Sequence, residues 1–326
     1  MPKKLRVAII MGGASVERAI SLITGKAICD NLNKEKYNIL SIEMGKDHKF
    51  YLLKNKKRKL LNLYDLSKKI NIVFIALHGT FGEDGGVQGL LEALGVKYTG
   101  CGVMSSALAM NKVFANQIYF ANGLPFPQFI HFKKRNWKES REKILSDAKK
   151  RIGLPCVVKP VDQGSAVGVS IVKTEIEMIK AIEKTIKQHS WLMMQKFIRG
   201  QEATCGVIEK EGKLIPLPPT HILPNLGEFY DYKSKYAAGG STHVCPADFP
   251  HEINHAIQEL AIKCHIALGC RGMSRTDVFV ADDGNLYILE TNTIPGMTQT
   301  SLFPEAASKA GINFTEMLDL IIKASL

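Results

Sequence analysis

Runs of apolar residues alternate with amphipathic segments near the start of the chain, and this alternation predicts strands separated by helices. The run Ile72–Leu77 is apolar without interruption, as expected for a strand that is covered on both faces. Strands that alternate with helices favour a parallel, doubly wound sheet, in which ligands bind at the carboxyl ends of the strands. The turn at Gly12 and the side chain of His78 both fall at such ends. The elements predicted here are a strand, a glycine turn and a helix within residues 5–32, strands at 38–44 and 71–77, a helix at Val87–Leu94 and a short strand near Lys97.

Beyond residue 102 the strands no longer alternate simply with helices. A helical stretch is predicted from Val103 to Ala121, and the strands CVVKPV and SWLMMQKFI then flank a further helix, which favours an α+β arrangement. The polar, tyrosine-rich residues 226–242 are predicted to form a mobile loop. A hairpin and a last helix follow. We therefore predict three domains, at residues 1–102, 103–195 and 196–326.

The hairpin, RTDVFVADDGNLYILETN, is predicted from the Asp283-Gly284 dipeptide between two apolar runs. A two-residue turn fixes the register, and alternate side chains then share one face of the hairpin. That face is apolar near the turn and polar at the open end. The pairs predicted on it are Asp282 with Asn285 beside the turn, then Phe279 with Ile288, Asp277 with Glu290 and Arg275 with Asn292.

Two carboxylates directly opposite each other repel, so the pair formed by Asp277 and Glu290 needs an explanation. A divalent cation would reverse the sign of this interaction. Asp277, Glu290 and Asn292 offer only hard oxygen ligands, which suit Mg²⁺ and not zinc. In the alternative interpretation, the hairpin end is solvated and Arg275 neutralises the acids. The pattern alone favours neither interpretation.

The composition is that of an ordinary globular protein, with 45% apolar and 23% charged residues and no run long enough to span a membrane. No signal peptide is expected, because the apolar run near the start is broken by glycines and lacks a cleavage site. Seven cysteines without C-x-x-C spacing favour reduced thiols in the cytoplasm. Much of the net charge of +12 lies in residues 46–69, which we interpret as a solvated face; nucleic-acid binding is not expected.

Glycine-rich segments mark candidate phosphate and ligand sites. The loop DQGSAVGVS, residues 162–170, lies between two predicted strands and is neither a Walker loop nor a dinucleotide fingerprint. Lys159 precedes it in an apolar strand, where a buried ammonium group needs an anionic partner such as a nucleotide phosphate. Glu17 follows the turn at Gly12 and could cap a helix. The stretch FYDYKSKY reads as a solvated loop or as a lid that carries a lysine to a phosphate.

Together these motifs resemble the D-alanine–D-alanine ligases, members of the ATP-grasp superfamily. The stretches that carry the resemblance occur in the family's order along the whole chain: GGASVERAISL, HGTFGEDGGVQG, YTGCGVMSSALAMNK, VVKPVDQGSAVGVS, FYDYKSKY, CPA and GCRGMSRTDVFV with GNLYILETNTIPGMTQTSLFP. The resemblance implies an ATP-grasp fold with α/β and α+β parts. It makes the first domain a Rossmann-like substrate domain and the other two the halves that grip ATP, the last with the metal site and the lid.

The resemblance also implies the residues of the nucleotide and metal sites. Two Mg²⁺ ions, for which Mn²⁺ can substitute, would clamp the ATP phosphates. The residues matched to the ATP site are Lys112, Lys159, Gly164, Ser165, Gln195, Lys196, Ile198, Glu202 and Lys235, and those matched to the metal are Asp277, Glu290 and Asn292.

For the reaction, the resemblance implies that ATP phosphorylates one D-alanine and that the amine of a second attacks the acyl phosphate. Glu17 would hold the ammonium group of the first D-alanine, and Ser165 and Tyr236 would form hydrogen bonds with Glu17. His78 would lie near the carboxylate of the first D-alanine. Arg275 and the N–H of Gly296 would bind the oxyanion. Ser301 and the N–H of Leu302 would bind the second carboxylate. The implied enzyme is a cytoplasmic homodimer in peptidoglycan precursor synthesis, with no membrane or nucleic-acid partner.

The sequence departs from the family pattern at Gln195, Ala166 and Asn111, where the family often has Glu, Ser and Asp, and none of the changes removes a catalytic group. A D-alanine–D-lactate ligase is one alternative, and Tyr236 argues against it because depsipeptide-forming relatives tend to lose that tyrosine. Two further alternatives are an ATP-grasp ligase for another amino acid or peptide substrate and a non-catalytic, basic nucleic-acid-binding protein. The binder leaves the carboxylate pair and Lys159 unexplained.

Overall fold

A computed structural model describes residues 4–55, 57–164, 167–225, 240–298 and 300–326 of the chain. Ser165, Lys235 and Tyr236, three of the predicted site residues, lie outside the described residues, as does most of the predicted lid. Among the described helices, none combines the length and the apolar character that a membrane crossing requires.

The described elements are named here in chain order. The strands are β1 (Leu5–Gly12), β2 (Tyr37–Met44), β3 (Phe50–Lys54), β4 (Lys57–Leu61), β5 (Ile72–Ile75), β6 (Phe129–Lys133), β7 (Cys156–Pro160), β8 (Ser170–Val172), β9 (Trp191–Lys196), β10 (Gly200–Lys210), β11 (Lys213–Pro216), β12 (Thr220–Pro224), β13 (Ser241–Val244), β14 (Met273–Ala281) and β15 (Leu286–Asn292). The helices are α1 (Arg18–Asn31), α2 (Leu63–Ser67), α3 (Gly86–Ala93), α4 (Val103–Met110), α5 (Lys112–Ala121), α6 (Lys134–Glu139), α7 (Arg141–Arg151), α8 (Glu175–Thr185), α9 (His251–Ala267), α10 (Leu302–Lys309) and α11 (Phe314–Lys323).

The first sheet has the strand order β4-β3-β2-β1-β5, and its centre is the predicted doubly wound arrangement, with β1 parallel to both β2 and β5. Strands β3 and β4, which were not predicted, add antiparallel strands at one edge. Lysines interrupt the apolar pattern there because β4 is an edge strand whose residues are almost all exposed. Charged side chains on such an edge discourage pairing with other chains. The predicted strand near Lys97 is a single bridge between Val73 and Tyr98.

The other two described sheets follow the first. The second has the order β6-β9-β7-β8 and a core of its own, which α7 and α8 cover. The third has the order β13-β12-β10-β14-β15, with β11 paired to β10. The ATP-grasp fold is confirmed by these antiparallel sheets together with the parallel centre of the first sheet and by the structural neighbours reported below.

The predicted helical stretch from Val103 to Ala121 is in fact two helices. Asn111 has an extended backbone, with ψ of 101°, and ends α4. Its side-chain oxygen accepts the N–H groups of Val113 and Phe114 at 3.1 and 3.2 Å, so this asparagine is the N-cap of α5. Both helices share a core with the third sheet, and Val113 of α5 also packs with Met193 of the second sheet. The predicted domain boundaries after residues 102 and 195 remain predictions.

The loop of the β14–β15 hairpin has three residues instead of the predicted two. Ala281 donates its N–H to the carbonyl of Asn285 at 2.9 Å, which leaves Asp282, Asp283 and Gly284 as the loop. Gly284 has φ of +80°, a left-handed conformation that glycine adopts without strain and that closes three-residue hairpins.

The longer loop shifts the register by one residue, so Phe279 lies opposite Tyr287 and not Ile288 as predicted. An irregularity between Asp277 and Val278 shifts the register again. As a result, the predicted pairs at the open end are confirmed: Asp277 lies opposite Glu290 and Arg275 lies opposite Asn292.

The last helix completes the core of the first sheet. Met317 and Ile321 of α11 belong to the same buried cluster as Ile9 and Phe74. Asp319 of α11 accepts a hydrogen bond from the hydroxyl of Tyr37, the first residue of β2, and pairs with the preceding residue, Lys36, at 3.0 Å. The beginning and the end of the described chain are therefore packed as one unit.

Candidate functional site

Two neighbouring cavities lie between the sheets. The first, of about 390 Å³, is bounded by loops of the first sheet, by the open end of the β14–β15 hairpin and by the segment that leads into α10. The second, of about 690 Å³, lies between the second and third sheets. Lys112 and Glu290 line both cavities, so these two side chains form the junction between them.

Most of the residues that the family resemblance implies for nucleotide and metal line the second cavity. Its walls are largely apolar, and its polar groups come from β7, β9, β10 and the hairpin. This combination is typical of a small-molecule site. The predicted residues that line it are Lys112, Lys159, Gln195, Lys196, Ile198, Glu202, Asp277 and Glu290, whereas Gly164 and Asn292 line the first cavity.

Lys159 is buried in β7, with only 7% of its surface exposed, and it faces the second cavity. Its ammonium group donates to Gln195 Oε1 at 2.6 Å, and Gln195 in turn donates to the carbonyl of Pro127 at 3.4 Å. Burial, reinforced by the positive charge of Lys112, lowers the pKa of Lys159 to about 7. The glutamine supplies a hydrogen bond but no negative charge, so an anionic ligand would stabilise the charged lysine.

Lys112 begins α5 and bridges the two cavities. Its ammonium group pairs with Glu290 Oε2 at 2.9 Å and donates to the carbonyl of Gln163 at 2.7 Å. The asparagine cap at residue 111 fixes where the helix starts, and therefore where this side chain leaves the backbone. The contact with Gln163 joins α5 to the glycine-rich loop before β8.

The carboxylates at the open end of the hairpin form ion pairs with cationic side chains of the protein. Arg275 donates two parallel hydrogen bonds to Asp277, at 2.8 and 2.9 Å. The Thr204 hydroxyl donates to the same carboxylate at 2.5 Å. Arg275 thus neutralises Asp277 as the alternative interpretation of the hairpin expects, while Glu290 pairs with Lys112. Within the described residues, no group of three or more His, Cys, Asp and Glu side chains is arranged to hold a metal.

Glu17 faces the first cavity from the amino end of α1. Glu17 is the N-cap residue of α1. Its N–H donates to the Ser15 hydroxyl at 3.2 Å, and that hydroxyl donates to the carbonyl of His78 at 2.7 Å. A Cβ atom at Gly79, where φ is +70°, would lie 2.6 Å from Glu17 Oε2. Glycine is therefore required at residue 79 to make room for this carboxylate. A Cβ at Gly164 would lie 3.9 Å from the same oxygen.

His78 lies at the carboxyl end of β5, and its ring is buried. Nε2 lies 3.0 Å from the Thr24 hydroxyl. Burial, reinforced by the charge of Arg275, lowers the pKa of His78 to about 4. A neutral imidazole at physiological pH can accept or donate a hydrogen bond but contributes no charge to a bound anion.

The residues predicted for the oxyanion and the second carboxylate meet on the other side of the first cavity. Gly296, Ser301 and Leu302 all line it. The Ser301 hydroxyl accepts the N–H of Thr298 at 3.1 Å and lies 2.7 Å from the Thr298 hydroxyl. Ser301 is also the N-cap residue of α10, and the amino terminus of that helix, at Leu302, faces the first cavity.

Sequence reasoning missed two side chains that line the first cavity, Glu83 and His243. Glu83 accepts the N–H of Gly79 at 2.5 Å. The signal for it was present, because Glu83 follows His78 in the glycine-rich loop that we noted. His243, on β13 after the polar stretch, pairs with Glu305 at 3.4 Å, and no sequence pattern points to it.

The arrangement suits the transfer of a group between two bound molecules. One cavity offers buried lysines to an anion, and the other offers carboxylates and a helix amino terminus to a molecule with both charges. The cation Lys112 lies at the border between them and Arg275 lines the first cavity, so positive charge is available where negative charge would develop during transfer.

Comparisons with known proteins cover nearly the whole chain. The family model described as "D-ala D-ala ligase N-terminus" matches residues 6–66 and 60–101, and the one described as "D-ala D-ala ligase C-terminus" matches residues 118–323. The chain is 41% identical over 325 residues to the D-alanine–D-alanine ligase of Syntrophobacter fumaroxidans, covering 99% of this chain and 98% of the relative. It is 41% identical over 323 residues to that of Pelotomaculum thermopropionicum, covering 99% and 97%.

Two solved structures show the same architecture. The VanG D-Ala:D-Ser ligase from Enterococcus faecalis is similar with a TM-score of 0.89 at 30% identity, covering 99% of this chain and 100% of that chain. The D-alanine–D-alanine ligase from Bacillus anthracis complexed with ATP is similar with a TM-score of 0.80 at 33% identity, covering 98% and 97%.

Proposed function

The chain belongs to the D-alanine–D-alanine ligase family, and we propose that it joins two D-alanine molecules through a D-alanyl phosphate, converting ATP to ADP and phosphate. The observation that carries this proposal is the junction of the two cavities at Lys112 and Glu290. A nucleotide in the second cavity and an amino acid in the first would meet there.

ATP would occupy the second cavity with its phosphates towards the junction. The lysines at residues 112 and 159 would bind phosphate oxygens, and Glu202 would accept hydrogen bonds from the ribose. Gln195, Lys196 and Ile198, at the end of β9 and just after it, would surround the adenine. Transfer of a phosphoryl group requires positioning and charge neutralisation more than a protein nucleophile, and these residues supply both.

The residues at the hairpin end fit Mg²⁺, or Mn²⁺ in its place. Asp277 and Glu290 are directly opposed, and Asn292 follows Glu290 on the same face. The N–H of Ile294 donates to Asn292 Oδ1 at 2.9 Å, which orients the amide oxygen. These are hard oxygen donors, as both ions require. Two bound ions would supply charge neutralisation for the ATP phosphates. The three residues would hold the metal, and Arg275 and Lys112 balance the carboxylates without it.

In the first cavity, Glu17 would bind the ammonium group of the first D-alanine, and His78 would lie beside its carboxylate. Arg275 and the N–H of Gly296 would stabilise the oxyanion that forms when the second amine attacks. Ser301 and the N–H of Leu302 would bind the carboxylate of the second D-alanine. Ser165, Lys235 and Tyr236 would close the site; exclusion of water is required because an acyl phosphate hydrolyses readily.

Phosphate release measured with ATP, Mg²⁺ and D-alanine tests the proposal, with the products identified by mass. We expect D-alanyl-D-alanine and phosphate in equal amounts. L-alanine, and D-alanine with D-lactate or D-serine, are run alongside, because the relatives include a D-Ala:D-Ser ligase. Formation of a mixed product in preference to the D-alanine dipeptide would overturn the substrate assignment. No ATP turnover with any D-amino acid would overturn the reaction.

ATP binding is expected to weaken as the pH rises above about 7, because the pKa of Lys159 is lowered to about 7. The lysine is then largely neutral at pH 8, and a bound triphosphate favours its charged form. Binding at pH 8 should therefore take up part of a proton. Calorimetry in buffers of different ionisation enthalpy measures this uptake, and Lys159→Met should abolish it. An ATP affinity that does not change between about pH 6 and pH 9 would contradict the assignment.

Three further points belong to this proposal. We propose a homodimer, a cytoplasmic enzyme and a role in peptidoglycan precursor synthesis, all on the family resemblance. The domains would be the substrate domain at residues 1–102 and the two ATP-grasp halves at 103–195 and 196–326. Light scattering at several protein concentrations tests the dimer, and a monomer at all of them would contradict it.

A further inference from the structure

We propose that Glu83 is the base that removes a proton from the ammonium group of the second D-alanine before its nitrogen attacks the acyl phosphate. The inference rests on the ligase function proposed above and extends it to a residue without an assigned role. Glu83 lies on the loop between β5 and α3 and lines the first cavity with Glu17, Arg275, Gly296 and Ser301.

The reaction needs such a group. An amino acid at neutral pH carries an ammonium group, whose nitrogen has no free electron pair. In the proposed step the Glu83 carboxylate takes one proton from this ammonium group. The neutral nitrogen then forms the C–N bond, the bond between the acyl carbon and the phosphate oxygen breaks, and the second proton leaves with the phosphate as HPO₄²⁻. The protonated Glu83 afterwards releases its proton to water.

The other charged or titratable groups of the first cavity are less suited to this role. Lys112 and Arg275 are cations, and Glu290 pairs with Lys112 at 2.9 Å. His78 is a weak base because burial lowers its pKa to about 4.

Of the two remaining titratable groups of the cavity, one pairs with a neighbouring residue and the other already has a proposed role. His243 pairs with Glu305 at 3.4 Å, on the side of the cavity formed by β13 and α10. Glu17 has the proposed task of binding the first ammonium group, which must stay protonated so that it does not compete as a nucleophile. Among the described groups of this cavity, Glu83 is left as the carboxyl group without a catalytic task.

The local geometry holds the Glu83 carboxyl group in the cavity. Gly79 donates its N–H to Glu83 Oε2 at 2.5 Å, and Glu83 donates its own N–H to the Gly79 carbonyl at 2.9 Å. Gly79 is also the residue against which Glu17 packs. The two carboxyl groups therefore flank one glycine, as would suit two ammonium groups bound side by side.

The environment also gives Glu83 a suitable base strength. Burial, reinforced by the carboxylate of Glu17 and to a smaller extent by Glu290, raises the pKa of Glu83 to about 8, against the opposing effects of the Gly79 N–H and the charge of Arg275. General bases are most effective when their pKa is close to the working pH. An arriving ammonium group would favour the ionised form, which is the form that accepts the proton.

Glu83→Gln tests the proposal, because glutamine retains an oxygen for the N–H of Gly79. We expect dipeptide formation to fall about 10²- to 10⁴-fold. Formation of the acyl phosphate should persist, as measured by scrambling of ¹⁸O from the bridging to the non-bridging position of ATP in the presence of D-alanine. Hydroxylamine, whose nitrogen is largely unprotonated at neutral pH, should still trap the acyl phosphate as D-alanyl hydroxamate. The rise of the rate with pH should shift from about 8 towards the pH at which free D-alanine loses its own proton.

Two further variants make the outcome decisive. Glu17→Gln should lose isotope scrambling and hydroxamate together with the dipeptide, because it removes donor binding. Glu92→Gln, on α3 and outside the cavity, should behave as the wild type. Equal losses of dipeptide, scrambling and hydroxamate in Glu83→Gln would make Glu83 a structural or donor-binding residue and overturn the proposal, as would unchanged dipeptide formation. Absence of dipeptide with the wild-type enzyme would instead overturn the proposed function, and this inference with it.

Discussion

Replacing Glu290 by Gln is expected to lower the rate of dipeptide formation by at least about 10³-fold while the protein remains folded. Glu290 lines both cavities and pairs with Lys112, so its charge acts where the two substrates would meet. The amide has nearly the same volume as the carboxylate, and it still offers one oxygen to Lys112. What it lacks is the negative charge that the proposed metal requires.

Steady-state phosphate release at increasing Mg²⁺ concentrations measures this effect, and thermal unfolding checks the fold. Glu259→Gln is a matched control, since Glu259 is exposed on α9 and pairs with Lys263 on the surface. The control should keep the wild-type rate and the wild-type Mg²⁺ dependence. Normal turnover by Glu290→Gln would remove this residue from the metal site.

The second large effect is expected for Arg275→Ala, which should lower kcat by roughly 10²–10³ if the guanidinium group stabilises the oxyanion. The same change removes the bidentate partner of Asp277, which is buried. An uncompensated buried carboxylate is destabilising by about 3–5 kcal/mol. A loss of activity in this variant alone could therefore come from either cause.

Arg275→Lys separates the two causes. A lysine keeps a positive charge beside Asp277 but cannot form two parallel hydrogen bonds. We expect this variant to unfold near the wild-type temperature and still to lose most of its kcat, with little change in the KM for ATP. A loss of only a few-fold in a folded Arg275→Lys protein would make Arg275 a structural counter-ion of Asp277.

The polar end of the hairpin could be predicted from sequence although its loop could not. The residues Asp283-Gly284 suit a two-residue turn as well as the three-residue loop that forms. The resulting error of one residue near the turn is cancelled by the irregularity after Asp277. Local sequence preferences indicate that a hairpin forms, whereas its register depends on the length of the loop and on the irregularity between Asp277 and Val278.

Other features depended on contacts that a sequence does not display. The break at Asn111 reads as helix because its neighbours suit a helix, and only the extended backbone there reveals a cap. The strands β3 and β4 were not predicted because lysines interrupt their apolar pattern, and an edge strand exposed to solvent tolerates lysines. Glu83 stands in the glycine-rich loop after His78, but its raised pKa depends on burial and on Glu17, a residue far away along the chain.

The packing of α11 against the first sheet has a consequence for how the protein is made. A ribosome releases the strands β1, β2 and β5 long before it adds Met317 and Ile321, which cover the face that includes Ile9 and Phe74. Domains usually fold as they emerge, the first one first. Here part of the apolar face of the first sheet would stay uncovered until α11 has been synthesised, so the nascent chain should depend on holdase chaperones during that interval.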